Sequence, residues 1–366
     1  MPAPGPVWPF IDLPTWRSLP SRQTWRNPGS GGIGADARDM NFSLANHWYR
    51  RGAVSLLLWP AGAAYGMAVR VRRLLYRLRL LRSHDAGLPV IVVGNLVAGG
   101  AGKTPLALWI AEFLASRGWS PGIVSRGYGG AAQSPCAATI ASDPREVGDE
   151  PIVLARRSGC PVWVGADRVA VIAALRAQHR ECDVVILDDG LQHYRLRRDV
   201  EIAIVDSRGF GNGLFLPAGP LREPVSRLRS VGAVIAHDTD MVQGFRMTLQ
   251  GSEAHCATDA RERRKLQSFS GQRVHAAAGI GDPGRFFGVL RRCGIDVVAH
   301  PFPDHHPFQA SDLDFGDGAP VLMTEKDAVK CKRFAQPHHW VLPVNAVMDA
   351  AFGEWLLRKL GDRRTR

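Results

Sequence analysis

Short apolar runs alternate with amphipathic segments through the middle of this 366-residue chain. The runs have the length and composition of buried parallel strands, and they lie at 89–93, 122–124, 161–164, 184–187 and 202–205. Helical patterns lie between several of them, for example over 168–178. Strands that alternate with helices predict an α/β fold with a doubly wound parallel sheet, whose ligands bind beyond the carboxyl ends of the strands.

A glycine-rich loop follows the first run and leads into an amphipathic helical segment. The loop consists of Gly99, Gly100, Ala101, Gly102, Lys103 and Thr104. A strand, a glycine-rich loop ending in Gly-Lys-Thr and a helix together form the context of a phosphate-binding loop. In such a loop Lys103 would reach the terminal phosphates of a nucleoside triphosphate and the Thr104 hydroxyl would bind Mg²⁺. Val97 stands where the usual pattern has its first glycine, so a chance glycine cluster is the alternative.

Acidic residues follow another predicted strand. Asp188 and Asp189 come directly after the run 184–187, where carboxylates can organise Mg²⁺ in a phosphate-binding fold. A helix cap or a turn is the alternative for such residues. Asp149 lies in the segment Gly-Asp-Glu-Pro at 148–151, and a helix N-cap is again the simpler interpretation.

Two arginines also follow predicted strands or rigid loops. Arg126 lies between a strand and a glycine-rich turn, which suits either a close approach to a ligand or a tight turn alone. Arg222 and Glu223 follow a proline-rich loop. Such an arginine can stabilise the charge of a phosphate in transfer, whereas a surface ion pair is the alternative.

The chain is strongly basic, with 46 Lys and Arg against 34 Asp and Glu and a formal net charge of +12. This charge favours an acidic partner: a nucleic acid, an anionic membrane or a phosphorylated substrate. Much of it is concentrated beside an apolar segment near the N-terminus rather than among exposed aromatic residues, so we expect no nucleic acid. The six cysteines form no C-x-x-C pair, which disfavours a zinc site and fits a reducing compartment.

The apolar segment spans residues 53–69, which carry no charge, and arginines follow it closely. It is short for a transmembrane helix, and Pro60 and Gly62 interrupt it. We therefore expect an interfacial helix that associates peripherally, as a monotopic anchor, with an anionic inner-membrane surface on its cytoplasmic face. A buried helix with a solvated arginine face is the alternative.

The second half of the chain predicts a further, smaller α/β unit. Four more strands are expected at 274–280, 296–302, 320–324 and 340–344, and Pro283 is expected to open a helix. The predicted organisation is a disordered leader (1–39, absent if translation starts at Met40), a membrane-associated helical region (40–84), a P-loop domain (85–255), a smaller α/β domain (270–345) and a C-terminal helix with a basic tail (346–366).

Taken together, the motifs resemble those of the tetraacyldisaccharide 4′-kinase family, the lipid A disaccharide kinases. The resemblance covers roughly residues 40–360 in one consistent order, and Val97 agrees with it because the family has no glycine at that position. The segments that carry it are 94–105, 125–130, 148–151, 188–193, 210–213, 216–223, 278–283, 304–308 and 324–330.

The resemblance implies transfer of the γ-phosphate of ATP to the 4′-hydroxyl of an acylated glucosamine disaccharide 1-phosphate, in lipid A biosynthesis. Asp149 and His305 match an acceptor-side pair in which the aspartate accepts the hydroxyl proton and the imidazole orients the aspartate or tunes its pKa; the adjacent His306 is the rival. Lys103 would bind phosphate, and Thr104, Asp188 and Asp189 would organise Mg²⁺. Further matched positions are Arg222 and Glu223 near the phosphates, and Tyr128, Arg126, Arg168, Gln192 and His193 for the glycolipid. No protein partner is implied, and closure of the two domains on ATP is expected.

A membrane-associated partitioning ATPase is the leading alternative. Such switches carry an extra lysine before the paired glycines, where this chain has Ala98. They also have no evident need for a second domain bearing Asp304 and His305.

Overall fold

Two β-sheets organise residues 47–364, the part of the chain that the computed structural model describes. The predicted leader 1–39 lies outside the described residues. The strands are, in chain order, β1 (Val90–Asn95), β2 (Pro121–Ser125), β3 (Cys136–Ala138), β4 (Val162–Val164), β5 (Val184–Asp188), β6 (Val200–Asp206), β7 (Ala233–His237), β8 (Phe245–Gln250), β9 (Glu253–Cys256), β10 (Arg263–Lys265), β11 (Arg273–Ala278), β12 (Asp296–Pro301), β13 (Val321–Thr324), β14 (His339–Leu342) and β15 (Asn345–Met348).

Helices cover both faces of the larger sheet and flank the smaller one. They are α1 (Ala53–Leu57), α2 (Trp59–Arg77), α3 (Lys103–Ser116), α4 (Pro144–Val147), α5 (Asp149–Ser158), α6 (Arg168–Gln178), α7 (Pro283–Arg292), α8 (Glu325–Cys331) and α9 (Ala350–Arg364). Several begin at a side-chain cap: Asp167 accepts from Val169 N (3.1 Å) and Asp282 from Arg285 N (3.3 Å). These caps satisfy backbone donors that have no partner within the helix.

The larger sheet has the strand order β15-β8-β7-β6-β1-β5-β2-β4-β3. Its strands pair in parallel except at the two edges, where β3 and β15 run antiparallel to their neighbours. Alternate residues of β1 enter different cores: Ile91 and Val93 pack with α3 and α5, and Val90 and Val92 pack with α6. Because both faces are covered, the central strands are apolar throughout. The predicted doubly wound α/β sheet is confirmed.

The smaller sheet has the order β10-β9-β14-β13-β11-β12. It contains the four strands predicted in the second half of the chain, and α7 begins at Pro283 as expected. It also includes β9 and β10, an antiparallel pair upstream of residue 270. The chain then returns to the larger sheet through β15. The domain boundaries given above stay a prediction.

Helix α2 lies against the larger unit through its two glycines. Gly62 and Gly66 are its buried residues, and both approach Phe215 closely. Its large apolar side chains are mostly exposed, as are Leu56 and Leu57 of α1. No helix within residues 47–364 combines the length and hydrophobicity needed to cross a bilayer. The association of this region with a membrane surface stays a prediction.

Candidate active site

The phosphate-binding loop connects β1 to α3, as predicted. Gly102 adopts φ +90°, a conformation that favours glycine, and α3 begins at Lys103. The Lys103 Nζ lies 3.4 Å from Asn95 Oδ1 and 3.2 Å from Asp189 Oδ2. Beneath the loop, the buried His237 holds its Nδ1 2.8 Å from the carbonyl oxygen of Ala101. The loop is therefore supported from below, and its lysine is oriented by the ends of two strands.

The structure brings Thr104 and Asp188 together. The Thr104 hydroxyl donates to Asp188 Oδ2 at 3.3 Å. Asp188 is only 1% exposed, and its Oδ1 is buried with no hydrogen-bond partner among the described residues. Burial, reinforced by Glu150, raises the pKa of Asp188 to about 7. A hydroxyl beside a buried, partly unpaired carboxylate fits a hard divalent cation that takes its other ligands from phosphates and water.

Asp189 has a different environment from its neighbour. It adopts φ +52°, and its two oxygens lie 2.9 and 3.0 Å from the guanidinium of Arg222. Burial by itself would raise the pKa of Asp189, but Lys103 and Arg222 outweigh burial and hold it well below its usual range. Asp189 therefore orients two cations beside the phosphate loop, and its metal-binding role stays a prediction.

Arg222 and Glu223 take different partners. Arg222 pairs with Asp189, as described above. Glu223 is fully buried and accepts hydrogen bonds from Gln192 Nε2 (3.1 Å) and the Tyr194 hydroxyl. Gln192 also donates to the carbonyl oxygen of Asn95 at 3.2 Å. Gln192 and Glu223 thus brace the end of β1 from behind the loop.

Asp149 and His305 meet across the boundary between the two sheets. Asp149 is 4% exposed, and its Oδ2 lies 3.2 Å from His305 Nδ1. Its Oδ1 accepts from the backbone nitrogen of Glu150 at 2.9 Å. Gly148, not Asp149, occupies the N-cap of α5, so the capping interpretation is wrong. His305 adopts φ +62°, the kind of local strain that is concentrated at functional sites.

His306 takes a separate partner. Its Nε2 lies 2.9 Å from Asp312 Oδ2, and its ring stacks on Phe302. Tyr128, in contrast, places its ring 4.8 Å from that of His305, centroid to centroid. Of the two adjacent histidines, the structure therefore pairs His305 with Asp149.

Cations on α8 surround this pair. Burial would raise the pKa of Asp149, but the His305 hydrogen bond and the charges of Lys326 and Lys330 lower it below its usual value. Burial would lower the pKa of His305, but Asp149 raises it above its usual value. Sequence reasoning included both lysines in the segment 324–330 without giving them a role. Their spacing of four residues, which places them on one helix face, was the available signal.

A second group of cations lies beside the two aspartates. Burial, together with the charge of Arg126, lowers the pKa of Arg168 to about 10. Burial and the charge of Arg168 lower the pKa of His193 to about 4. Arg168 Nε and His193 Nε2 are buried and have no hydrogen-bond partner within residues 47–364. The unpaired Arg168 donor suits an anionic ligand.

The smaller unit also contacts the phosphate loop. From the smaller unit, Gly281 approaches the backbone of Gly100. Arg208 of the larger unit hydrogen-bonds to the carbonyl oxygen of Gly100 and to Asp206 Oδ2 (2.7 Å), and its Nη1 lies 3.5 Å from the carbonyl oxygen of Gly281. Arg285 lies 3.2 Å from the His237 ring nitrogens. None of these contacts was predicted, because the sequence does not reveal which loops of two sheets face each other.

Two clefts open around these residues. One, of about 240 Å³, lies between the phosphate loop and the smaller unit; its lining includes Lys103, Thr104, Leu108, Phe286, Val289 and Lys326. The other, of about 360 Å³, includes Tyr128, Asp149, His305, Phe308 and Lys330 in its lining. Adjacent residues Asp149 and Glu150 each line one of the clefts. The arrangement suits two ligands that meet at the start of α5.

Comparison with known proteins agrees with this geometry. The sequence profile of the tetraacyldisaccharide-1-P 4′-kinase family matches residues 54–361. A tetraacyldisaccharide 4′-kinase from Azoarcus sp. (strain BH72) is 47% identical over 333 residues, which cover 89% of this chain and 98% of that protein. One from Nitrosococcus oceani is 48% identical over 324 residues, covering 88% of this chain and 95% of that protein.

The fold is also similar to a solved structure. The crystal structure of LpxK from Aquifex aeolicus in complex with ATP superposes with a TM-score of 0.71 at 26% sequence identity, covering 84% of this chain and 99% of that one. The profile match, the curated relatives and the shared fold agree. The chain belongs to the tetraacyldisaccharide-1-P 4′-kinase family.

Proposed function

We propose that this chain transfers the γ-phosphate of ATP to the 4′-hydroxyl of a tetraacyl glucosamine disaccharide 1-phosphate. The observation that carries the proposal is the pair of the buried Asp149 and the half-buried His305, 3.2 Å apart, between a phosphate-loop cleft and a second cleft. An alcohol nucleophile requires a positioned base, and a base between the two clefts can serve a transfer from one ligand to the other.

Asp149 is the proposed base. Its lowered pKa keeps the carboxylate ionised at neutral pH. As the 4′-oxygen forms its bond to the γ-phosphorus, the bond from that phosphorus to the β,γ-bridging oxygen breaks. The hydroxyl proton passes to Asp149, and ADP leaves with the bonding electron pair. His305 orients the carboxylate through its Nδ1.

Lys103 and Arg222 neutralise the phosphate charge that is redistributed during the transfer. Both cations are oriented by Asp189. Thr104 and Asp188 are the residues that would hold Mg²⁺, and Asp189 stays a candidate. When bound, Mg²⁺ would neutralise charge on the β- and γ-phosphates.

Arg126, Arg168 and His193 are proposed to hold an anionic group of the glycolipid. The support is the unpaired donor of Arg168 and the unpaired, buried Nε2 of His193 beside it. Tyr128, which is exposed and packs against the His305 ring, is proposed to contact the sugar at the mouth of the second cleft.

We further propose peripheral association with the cytoplasmic face of the inner membrane. The support is the exposed apolar surface of α1 and α2, beside a run of arginines and within a chain of net charge +12. This location would bring the second cleft to a substrate that resides in the bilayer.

The test is incubation of the purified protein with γ-labelled ATP and the acylated disaccharide 1-phosphate, followed by location of the label. A kinase consumes ATP in proportion to the labelled lipid. A partitioning ATPase would hydrolyse ATP without any acceptor, and that result would overturn the proposal.

A further inference from the structure

Lys326 contacts the imidazole on the side opposite Asp149. Its Nζ lies 3.2 Å from His305 Nε2, 2.9 Å from Asp304 Oδ1 and 3.2 Å from Glu150 Oε1. The side chain is 16% exposed. Burial would lower the pKa of Lys326, but Glu150, Asp149 and Asp304 raise it above its usual value, so the group stays an ammonium ion.

An ammonium group has three donors and no acceptor. At 3.2 Å from Nζ, the His305 Nε2 must therefore be the acceptor, without a proton of its own. A neutral imidazole with a bare Nε2 carries its proton on Nδ1. That atom faces Asp149 Oδ2 at 3.2 Å, where a donor is required. The contacts on both sides of the ring thus specify the same tautomer.

We propose that Lys326 is a positioning residue that holds His305 in the neutral, Nδ1-protonated tautomer, so that the base of the pair is Asp149 and not the imidazole. The inference rests on the proposed function. In hydrolases that use histidine as the base, the nitrogen away from the aspartate is free to accept a proton. Here that nitrogen accepts from Lys326 instead, and a carboxylate oxygen is left for the hydroxyl proton.

Opposing charges act on the ring. Burial and Lys326 oppose the imidazolium ion, whereas Asp149 and Asp304 favour it and raise the pKa of His305 above its usual value. The Tyr128 ring, which packs against His305, contributes no formal charge. Removal of Lys326 would leave the ring facing two carboxylates, and its pKa would rise further. The imidazolium form, with a proton on both nitrogens, would then persist to higher pH.

Nitrogen NMR of ¹⁵N-histidine-labelled full-length protein, recorded near pH 8.5 without substrates, tests this directly. We expect the wild-type His305 to show a protonated Nδ1 and a bare Nε2, with the resonances assigned by their loss in His305→Gln. In Lys326→Met we expect a larger fraction of rings protonated on Nε2, and in a pH titration this protonation should persist to roughly one pH unit above the wild-type value. Lys326→Arg, which keeps the charge and the donors, should retain the wild-type tautomer, and Lys332→Met, on the exposed end of the same helix, should change nothing.

Activity gives the second readout. In Lys326→Met the acidic limb of the pH profile of kcat should move up by roughly one pH unit. The variant should also have a lower kcat, whereas its KM for ATP should change less. A wild-type ring protonated on Nε2 would overturn the proposal, as would a Lys326→Met protein with the wild-type tautomer and profile. If Lys326→Met does not fold, the wild-type spectrum decides by itself. Because that spectrum is recorded without substrates, failure of lipid phosphorylation would overturn the proposed function and leave the tautomer assignment standing.

Discussion

Asp149 is a buried carboxylate that remains ionised because cations and an imidazole surround it. A buried charge without such partners would shift its pKa and become neutral. Asp149→Asn keeps the shape of the side chain but removes the proton acceptor. We expect kcat to fall about 10²–10⁴-fold, with the KM for ATP nearly unchanged, in steady-state assays. Asp312→Asn, at the partner of His306, is the matched control and should retain activity; an equal loss in both variants would argue against the base.

The same pair makes stability depend on pH in a defined direction. Because the pKa of Asp149 is lowered on folding, the residue stabilises the fold above about pH 4, the pKa of an aspartate in the unfolded chain, and this stability is lost as pH falls. Because the pKa of His305 is raised on folding, the residue stabilises the fold below about pH 6.5, the pKa of a histidine in the unfolded chain. That stability is lost as pH rises through the pKa that His305 has in the folded protein. The loss of Tm in Asp149→Asn should therefore be largest between about pH 4 and 6.5. Thermal melts across pH 4 to 9 measure it, and a loss that grows steadily toward pH 9 would contradict the pairing.

Single-residue roles were only partly predictable from the sequence. The loop lysine and the strand-end aspartates follow directly from local patterns, because neighbouring residues define them. The choice between His305 and His306 does not, since both lie in one irregular loop and only the packing of the smaller unit against α5 separates them. The contacts that Lys326 and Glu223 make were out of reach for the same reason, because their partners are distant in sequence.

At the scale of elements, burial decides which strands the sequence predicts. The central strands of the larger sheet are covered on both faces and are therefore uniformly apolar. Strand β10 consists of Arg263, Arg264 and Lys265, all exposed, so no apolar pattern marks it. It forms only because β9 offers it an edge to pair with. Strands of that kind are specified by their neighbours rather than by their own residues.

Helices α1 and α2 present an exposed apolar surface that is proposed to contact the lipid bilayer. Leu56 and Leu57 are 75% and 80% exposed, so charging them costs the fold little. The double variant Leu56→Glu/Leu57→Glu should bind anionic vesicles at least about 10-fold more weakly, since it loses buried apolar area and gains repulsion. Vesicle sedimentation measures this. Ile140→Glu, an exposed apolar site outside this region, should bind as the wild type does; unchanged binding of the double variant would remove the membrane role of these helices.

At the scale of the whole molecule, the active site is assembled from both sheets. A β-carbon at position 281 would lie 2.8 Å from the Gly100 nitrogen, which is too close for any side chain. Gly281→Ala should therefore displace the smaller unit from the phosphate loop and reduce kcat/KM for ATP about 10- to 100-fold, since small displacements of a catalytic geometry have effects of that size. Steady-state kinetics measure it. Gly284→Ala has room for its methyl group and should be near wild type; equal kinetics in both variants would show that this contact is not needed.

The central claim is transfer of phosphate to a lipid acceptor at Asp149. Its most direct measurement is the position of the label after reaction of γ-labelled ATP with the acylated disaccharide 1-phosphate, for the wild type and for Lys103→Ala. For the wild type we expect one phosphate on the 4′-oxygen for each ATP consumed. For a Lys103→Ala protein that remains folded, we expect a rate of transfer at least about 10²-fold lower. ATP consumption without labelled lipid, or undiminished transfer by Lys103→Ala, would contradict it.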